Sequence, residues 1–565
     1  MKSFLSLVAA LTLSAWVGLA GTRSALAAAP PQSAGVPTDA QPVLSNASPW
    51  RWHVAWRRPQ IAESLRAAGK PDVLKPGIGF DELADTERIE TPPPAAEWTK
   101  PEFDDFDWSR GPVPIVMTRG HMGNPHVSVG LLSVRGKFLV DDPKSVTGLY
   151  LSLGYRGGAV VYLNGKEVAR GHLPSSPLSP ATPGQQYPDE AWVGADGKPL
   201  PRPQEMKPEH KTRAAQRERQ LGPVPLPVAQ LRRGLNILAI EVHRSDFPPI
   251  AQTWWSNNRF MYGYYTGWTP LALNDVRVWA TGSGFTANVA RPEGLRVWAI
   301  DVVDRLDDFD FPDSHDTAPS IVIPAARNGQ YSGALAISGA ETIRGAQIKV
   351  GDLTSRSDGG KIPASAIRVR YASRGKLPAA DPKAREGFDV LADSPPAEVA
   401  VQKQGAATLP VWLTVHVPRD AAAGDYEGQV TVAVEEKEPA KIPLRLQLAG
   451  WTVPDPQAFR TIVNIYQSPT TLALYYGVPE WSEEHWKLME KSFALLAPFG
   501  MDLVNVPISD QTQFGNDDGL VYWIKKPDGT YEYDFTVFDR YIQLVKKHLG
   551  TPRFLSLQVW HGCMY

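Results

Sequence analysis

Cysteine is almost absent from this chain: its 565 residues include one, Cys563. A disulfide scaffold and a zinc site built from cysteines are therefore both excluded. Excess charge of one sign is also absent, because 58 Lys and Arg balance 60 Asp and Glu and leave a net charge of −2. A nucleic-acid-binding protein normally carries a basic surface, so this balance argues against a nucleic-acid partner.

The sequence also lacks the short motifs that mark metal or cofactor enzymes. It contains no HExxH, no GxSxG and no dinucleotide fingerprint. His121 and His126 lie five residues apart in a Gly/Pro-rich stretch, which favours unrelated histidines over a ligand pair. The acidic run from Asp301 to Asp316 lacks the EF-hand spacing for calcium and predicts a solvated linker. We therefore expect no metal and no cofactor.

Long apolar runs are confined to the N-terminus. Lys2 precedes an apolar stretch from Phe4 to Ala20, and Ala25-Leu26-Ala27 fits a small-x-small cleavage site. This pattern predicts a signal peptide over 1–27 and a periplasmic or extracellular protein with no membrane attachment after cleavage. The alternative is a membrane anchor, because the run approaches spanning length. Residues 28–95 are predicted to form a linker and an N-terminal segment.

The abundance of turn residues, 52 Pro and 47 Gly, favours β domains. Asn164-Gly165 between two short β-type runs is a strong signal for a hairpin. The patterns predict one β-sandwich over 96–293 and a second over 294–452. Residues 172–228 are rich in proline and predict a surface insertion. The aromatic stretch 254–268 predicts a core or inter-domain wedge, and sugar stacking is the alternative.

The hydrophobic pattern changes after residue 453. Strands are predicted over 461–466, 502–508 and 554–560, with helices between them, the first capped by Ser482. Alternating strands and helices predict parallel βαβ units. A (β/α)₈ TIM barrel takes about 250 residues. Residues 453–565 are therefore predicted to form the first three strands of such a barrel, which is incomplete. A small open α/β domain is the alternative.

Three segments of the first sandwich, FDDFDW (103–108), VVYLNGKEV (160–168) and LRRGLNILAIEVH (231–243), resemble the galactose-binding-like jelly roll of large glycoside hydrolases. The resemblance covers about 96–280. It implies a module that supports a catalytic domain, often without binding sugar.

Further along, the chain resembles glycoside hydrolase family 123. The matching segments are ARNGQYSGALAISG (326–339), IPASAIRVRY (362–371), LPVWLTVHVPRDAAAGDYEGQVTV (409–432) and TYEYDFTVFDRYIQLVKKHLG (530–550). The resemblance implies a carbohydrate partner and retaining hydrolysis of N-acetyl-hexosaminides, with the substrate's acetamido group as nucleophile and an adjacent Asp-Glu pair assisting.

No residue of this chain matches that catalytic pair, which the resemblance places on later barrel strands. Asp81-Glu82 and Asp189-Glu190 lie outside the barrel segment, and Asp517-Asp518 lacks the glutamate. The catalytic residues are therefore unknown, and the chain alone is expected to be inactive. A secreted glycan-binding or scaffold protein without catalysis is the alternative function.

Barrel enzymes place their sites at the carboxyl ends of the strands. The residues predicted there, as carbohydrate contacts, are Asn464, Tyr466, Asn505, Asp510, Trp560 and His561. The alternative for each is a local cap or loop hydrogen bond.

Overall fold

A computed structural model describes residues 35–57, 90–116, 129–246 (without 199 and 202–205), 248, 271–316 (without 304–305, 307 and 309), 320–374, 387–402 (without 389), 405–512 and 516–559. The predicted signal peptide, the histidine pair, the aromatic stretch 254–268, Trp560, His561 and Cys563 lie outside these residues. No helix in the described ranges is long and apolar enough to cross a membrane.

The first β-rich unit has twelve described strands and one helix. They are β1 (Gln41–Leu44), β2 (Trp50–Trp56), β3 (Ser109–Gly111), β4 (Ile115–Val116), β5 (Val129–Val140), β6 (Val146–Arg156), β7 (Gly158–Leu163), β8 (Lys166–Gly171), α1 (Pro208–Ala215), β9 (Arg219–Pro225), β10 (Gly234–His243), β11 (Ala272–Gly282) and β12 (Phe285–Thr286).

Two antiparallel sheets enclose the core of this unit. One has the order β1-β11-β6-β9 with β4 also on β11, and the other β3-β2-β5-β10-β7-β8 with β12 on β5. Alternate side chains of the long strands, such as Leu151 and Leu153 on β6 and Leu238 and Ile240 on β10, are fully buried between the sheets. This is the packing of a β-sandwich.

The Asn-Gly hairpin is confirmed as the β7–β8 turn. Asn164 has φ 52° and Gly165 has φ 86°. A two-residue turn of this kind needs positive φ at both positions, and Asn and Gly adopt it at the lowest cost.

The prediction of a surface insertion over 172–228 is wrong in part. Tyr187 and Trp192 are buried, α1 forms, and β9 joins β6 at the edge of its sheet. Prolines at 223 and 225 are compatible with β9 because an edge strand leaves one row of backbone groups without ladder partners.

The second β-rich unit has thirteen described strands. They are β13 (Arg296–Ile300), β14 (Ile321–Arg327), β15 (Gln330–Gly339), β16 (Ile343–Arg344), β17 (Gln347–Val350), β18 (Leu353–Ser355), β19 (Lys361–Ile362), β20 (Ile367–Ser373), β21 (Val390–Ala392), β22 (Glu398–Val399), β23 (Ala407–His416), β24 (Gly424–Ala433) and β25 (Ala440–Thr452).

Its two main sheets have the orders β13-β15-β23-β20-β21 and β14-β25-β24-β18-β19, with β17 also on β24. Leu413 and Val415 of β23 and Leu444 and Leu446 of β25 are fully buried in the shared core. The alternating patterns of 367–371 and 411–417 therefore correspond to half-buried strands, as predicted.

A buried ionic network joins the two sandwiches. Asp105 accepts hydrogen bonds from Arg135 Nε at 2.6 Å and Lys137 Nζ at 2.7 Å. Asp316, from the acidic run of the second unit, pairs with Lys137 and with Arg51 Nη2, the latter at 2.9 Å. The prediction of a solvated linker at this end of the run is wrong, because cations from the first sandwich cover the carboxylate.

The last unit contains five described strands and three helices. They are β26 (Val463–Asn464), α2 (Pro469–Tyr476), α3 (Glu483–Leu496), β27 (Met501–Pro507), β28 (Tyr522–Lys525), β29 (Tyr531–Asp534), α4 (Thr536–Leu549) and β30 (Phe554–Gln558).

The strand order β26-β27-β30 is parallel throughout, so the predicted βαβ connectivity is confirmed. Ser482 caps α3 by accepting a hydrogen bond from the His485 backbone N–H at 3.2 Å. Apolar faces of α3 and α4 cover Val504 and Val506 of the central strand. The predicted strand 461–466 is shorter than expected, and α2, which was not predicted, begins shortly after it.

We expect Asp105→Ala to destabilise the first sandwich by about 3–5 kcal/mol, because the change leaves the buried Arg135 without its carboxylate and Lys137 with Asp316 alone. Asp393→Ala is the matched control: its pair with Arg368 is more than half exposed and is worth at most about 1 kcal/mol. Chemical denaturation of the full chain, followed by near-UV circular dichroism, measures both. Equal effects for the two variants would contradict the structural role of Asp105.

Candidate functional site

Parallel pairing brings the carboxyl ends of three strands to one edge of the sheet. Val463 of β26 lies opposite Met501 of β27, and Pro507 of β27 lies opposite Gln558 of β30. β27 and β30 therefore end side by side, whereas β26 ends opposite Leu503, before the end of β27. Polar side chains from all three strands meet at this edge, which we call the strand-end group: Asn464, Tyr466, Gln467, Asn505 and Gln558.

The amides of two neighbouring strands are bonded to each other in this group. Asn505 Nδ2 donates to Asn464 Oδ1 at 2.7 Å, and Asn505 is buried. The sequence prediction placed both residues here, and the structure brings them together. The bond fixes the side chain of the exposed Asn464 at the sheet edge.

A second contact links the first strand connection to β30. Gln558 Nε2 donates to the Tyr466 hydroxyl at 2.6 Å. Gln558 Oε1 and both amide atoms of Gln467 are shielded from solvent and have no hydrogen-bond partner among the described residues. Unsatisfied buried polar atoms cost free energy. The strand-end group therefore holds donors and acceptors available to a bound polar molecule.

Asp510 lies in the connection after β27 but takes no part in these contacts. Its side chain is exposed, and within the described ranges it makes no hydrogen bond to Asn464, Tyr466 or Asn505. The structure thus groups three of the six predicted contacts. Trp560 and His561 fall outside the described residues.

The connection after β27 folds back on the strand it leaves. The Leu520 backbone N–H donates to the Pro507 carbonyl at 2.8 Å. A Cβ at Gly519 would lie 2.8 Å from the Ile508 carbonyl oxygen, so only glycine permits this approach. The fold-back holds Asp517 and Asp518, the two residues before Gly519, against the connection after β26, where the Asp517 backbone N–H donates to the Thr470 hydroxyl.

Three carboxylates lie where the two connections meet: Glu480, Asp517 and Asp518. The Thr470 hydroxyl donates to Glu480 Oε2 at 3.0 Å and accepts from the Asp517 backbone N–H at 3.0 Å. The bond with Asp517 ties the start of α2 to the connection after β27, and the bond with Glu480 ties it to the segment before α3. Sequence reasoning missed Glu480, whose only signal was its place just before the Ser482 cap.

Asp518 is held by two aromatic donors. Trp481 Nε1 donates to Asp518 Oδ2 at 2.6 Å, and the Tyr522 hydroxyl donates to the same oxygen at 3.1 Å. Burial and the Asp518 charge raise the pKa of Tyr522 to about 12, so its hydroxyl keeps its proton and remains a donor. The two bonds hold the Asp518 carboxyl group in place between Trp481 and Tyr522.

The environment of Glu480 opposes the ionisation of its side chain. Burial, together with the charges of Asp518 and Asp517, raises the pKa of Glu480 above its usual value. A carboxyl group that holds its proton more tightly is suited to proton donation. Its bonded partner, however, is Thr470, so the structure assigns it first to holding the start of α2 against the segment that leads into α3.

His485 is the buried histidine of this region, and both its ring nitrogens are occupied. Nδ1 accepts from the Trp481 backbone N–H at 2.9 Å, and Nε2 donates to the Pro469 carbonyl at 3.0 Å. Burial lowers its pKa, so it is a neutral structural group that orients Trp481. Among the described residues there is no group of three His, Cys, Asp or Glu side chains arranged to hold a metal ion.

Two family models match the chain. The model of the glycoside hydrolase 123 N-terminal domain matches residues 314–434, and that of the glycoside hydrolase 123 catalytic domain matches residues 466–562. The second match includes the strand-end group from Tyr466 onward and the three carboxylates. No curated protein sequence matches the chain.

Two similar solved structures share little sequence with this chain. A family 123 glycoside hydrolase from Clostridium perfringens, studied for glycolipid glycan hydrolysis, is 18% identical over 45% of this chain and 46% of its own, with a TM-score of 0.39. A family 2 glycosyl hydrolase from Bacteroides cellulosilyticus is 10% identical over 84% of this chain and 45% of its own, with a TM-score of 0.18. The chain therefore spans about half the length of these two proteins.

We expect Glu480→Gln to stabilise the full chain at pH 7 and to leave its stability unchanged at pH 4. A raised folded-state pKa gives stability that is complete below the ordinary value of 4.5 and is lost as the pH rises through the folded pKa. Glutamine avoids that loss and still accepts the Thr470 bond. Thermal unfolding at the two pH values, with Glu438→Gln at an exposed loop position as control, measures the difference. A less stable variant at pH 7 would contradict the assignment.

Proposed function

Because the chain is a glycoside hydrolase family 123-like protein, we propose that it forms the N-terminal portion of an exported enzyme that hydrolyses N-acetyl-hexosaminides. In this proposal the substrate's acetamido group is the nucleophile and the anomeric configuration is retained. The observation that carries the proposal is the succession of both family domains, over 314–434 and 466–562.

The proposed catalytic fold is a (β/α)₈ barrel, of which β26, β27 and β30 are the first three strands. Their parallel order and the helices α3 and α4 are consistent with that fold. Phe554, Leu555 and Leu557 on β30 are about half exposed, although a barrel strand is covered on both faces. Apolar side chains of this kind suit a strand that packs against further barrel elements.

The first sandwich is, in this proposal, a galactose-binding-like jelly roll that supports the barrel. Its ionic network with Asp316 attaches it to the second sandwich through buried charges. A rigid attachment of this kind suits a supporting module.

The strand-end group is proposed to bind sugar hydroxyls. Its amides and the Tyr466 hydroxyl offer donors and acceptors at one edge, and those of Gln467 have no partner among the described residues. Glycosidic cleavage also needs a proton donor and a group that stabilises the oxocarbenium-like centre, held at one site. We assign neither role to a residue of this chain, and expect the family's Asp-Glu pair on later strands.

We expect the full chain to show no turnover of chromogenic N-acetyl-hexosaminides, whereas a longer form with a whole barrel hydrolyses them with retention. The reason is that catalysis needs both a group that donates the proton and a group that orients the acetamide. We assign neither group to the present chain. Release of the chromophore and proton NMR of the first-formed anomer measure the two properties. Activity of the present chain that is lost in Asp517→Asn or Asp518→Asn would overturn the proposal. Glycan binding without turnover by the longer form would favour a scaffold protein.

Export is proposed from the charged start, the apolar run and Ala25-Leu26-Ala27. We expect N-terminal sequencing of protein from the periplasm or medium to begin at Ala28 or close to it. Exported protein that retains Met1 would contradict cleavage, and protein found with the membrane fraction would favour the anchor.

A further inference from the structure

A two-stranded hairpin in the connection between β27 and α4 presents large aromatic side chains to solvent. Its strands are β28 and β29, in which Trp523 lies opposite Tyr533 and Lys525 lies opposite Tyr531. Because alternate residues of a strand point to the same side, these four side chains form one face of the hairpin. We call this set, Trp523, Lys525, Tyr531 and Tyr533, the hairpin face.

The rings of the hairpin face support one another and remain exposed. The centroid of Trp523 lies 5.2 Å from that of Tyr533 and 6.3 Å from that of Tyr531, and the planes are nearly perpendicular at 84° and 73°. Such edge-to-face contacts are favourable and hold the indole in place. Even so, Trp523 is 53% exposed, Tyr531 47% and Tyr533 48%.

Cross-strand ring pairs stabilise a hairpin, but this stabilisation does not require that about half of each ring be exposed to solvent. Contiguous exposed aromatic surface is typical of a binding surface. Each ring of the hairpin face also carries a polar group, an indole N–H or a phenol O–H, and Lys525 adds a cation. The acidic residues of these strands, Glu532 and Asp534, alternate to the opposite side.

The hairpin is attached directly to the candidate site. Tyr522, the first residue of β28, donates its hydroxyl hydrogen bond to Asp518 where the two connections meet. The whole hairpin lies in a connection that leaves the carboxyl end of a parallel strand, the side on which barrel enzymes bind substrate. Tyr522 alternates to the side opposite the hairpin face, so its bond to Asp518 anchors the hairpin and leaves the hairpin face open to solvent.

We propose that the hairpin face binds a pyranose unit of a β-linked glycan, remote from the bond that is cleaved. In such a sugar the axial C–H groups form an apolar side that packs on an aromatic ring, and the equatorial hydroxyls meet the surrounding donors. The Trp523 indole receives the apolar side, and the two tyrosines and Lys525 bond the rim. The inference rests on the proposed function only for its choice of a carbohydrate occupant.

The hairpin face does not distinguish an acetamido group from a hydroxyl, because ring stacking depends on the C–H side of the sugar. The sugar preference of the hairpin face is therefore expected to differ from that of the proposed catalytic site, which requires an acetamido group. Two β-linked tetrasaccharides serve as probes, one of N-acetylglucosamine units and one of glucose units, with the two monosaccharides for comparison. Isothermal titration calorimetry of the full chain gives the dissociation constants.

We expect both tetrasaccharides to bind at least tenfold more tightly than their monosaccharides, and Trp523→Ala to abolish that advantage for both. Ile524→Ala is the matched control, because Ile524 is 50% exposed on the opposite face of the same strand, and we expect less than a twofold change. Far-UV circular dichroism of each variant confirms that the chain remains folded. Trp523→Phe, which keeps a ring, should retain most of the affinity.

Several outcomes would overturn the inference. They are no tetrasaccharide binding by the unaltered chain, equal binding of tetrasaccharide and monosaccharide, or equal effects of Trp523→Ala and Ile524→Ala. Self-association that Trp523→Ala removes would identify a second copy as the occupant instead. Tetrasaccharide binding that depends on Trp523, combined with no N-acetyl-hexosaminidase activity in the longer form, would uphold the hairpin face and contradict the proposed function alone.

Discussion

Parallel pairing on both sides of β27 determines the arrangement of the candidate site. A parallel neighbour can be reached only by a crossover, so α3 and α4 must cover the sheet before the chain returns. Every connection therefore leaves from the same edge. The contacts between Asn464 and Asn505, between Tyr466 and Gln558 and between Thr470 and the Asp517 backbone all arise from this geometry.

Sequence patterns correctly predicted the elements that depend on interactions between residues close together in the chain. The Asn164-Gly165 turn needs only positive φ at two residues, and α3 needs the Ser482 cap and an apolar stripe. Helix α2 escaped prediction although Ser468 caps it and Gly477 ends it in the left-handed conformation. Its apolar residues, Leu472, Leu474, Tyr475 and Tyr476, do not form a clear stripe, and three of the four are exposed.

Interactions between distant residues could not be predicted from the pattern. Asp316 belongs to an acidic run that, by charge alone, indicates a solvated segment, and its partners Lys137 and Arg51 lie in another domain. In the same way, the rule of strand ends found Asn464, Tyr466 and Asn505. It could not find Glu480 or Gln467, whose positions depend on how the first connection folds, or identify Asp518 as the acceptor of Trp481 and Tyr522.

The joint at Asp316 also leaves the first sandwich with a charge imbalance of its own. Arg51, Arg135 and Lys137 all belong to the first sandwich, and of the described carboxylates paired with them only Asp105 does. The second carboxylate, Asp316, follows the last strand of that sandwich, β12 (Phe285–Thr286). The first sandwich by itself therefore holds three cations against one carboxylate at this joint, and the second sandwich supplies the missing counter-ion.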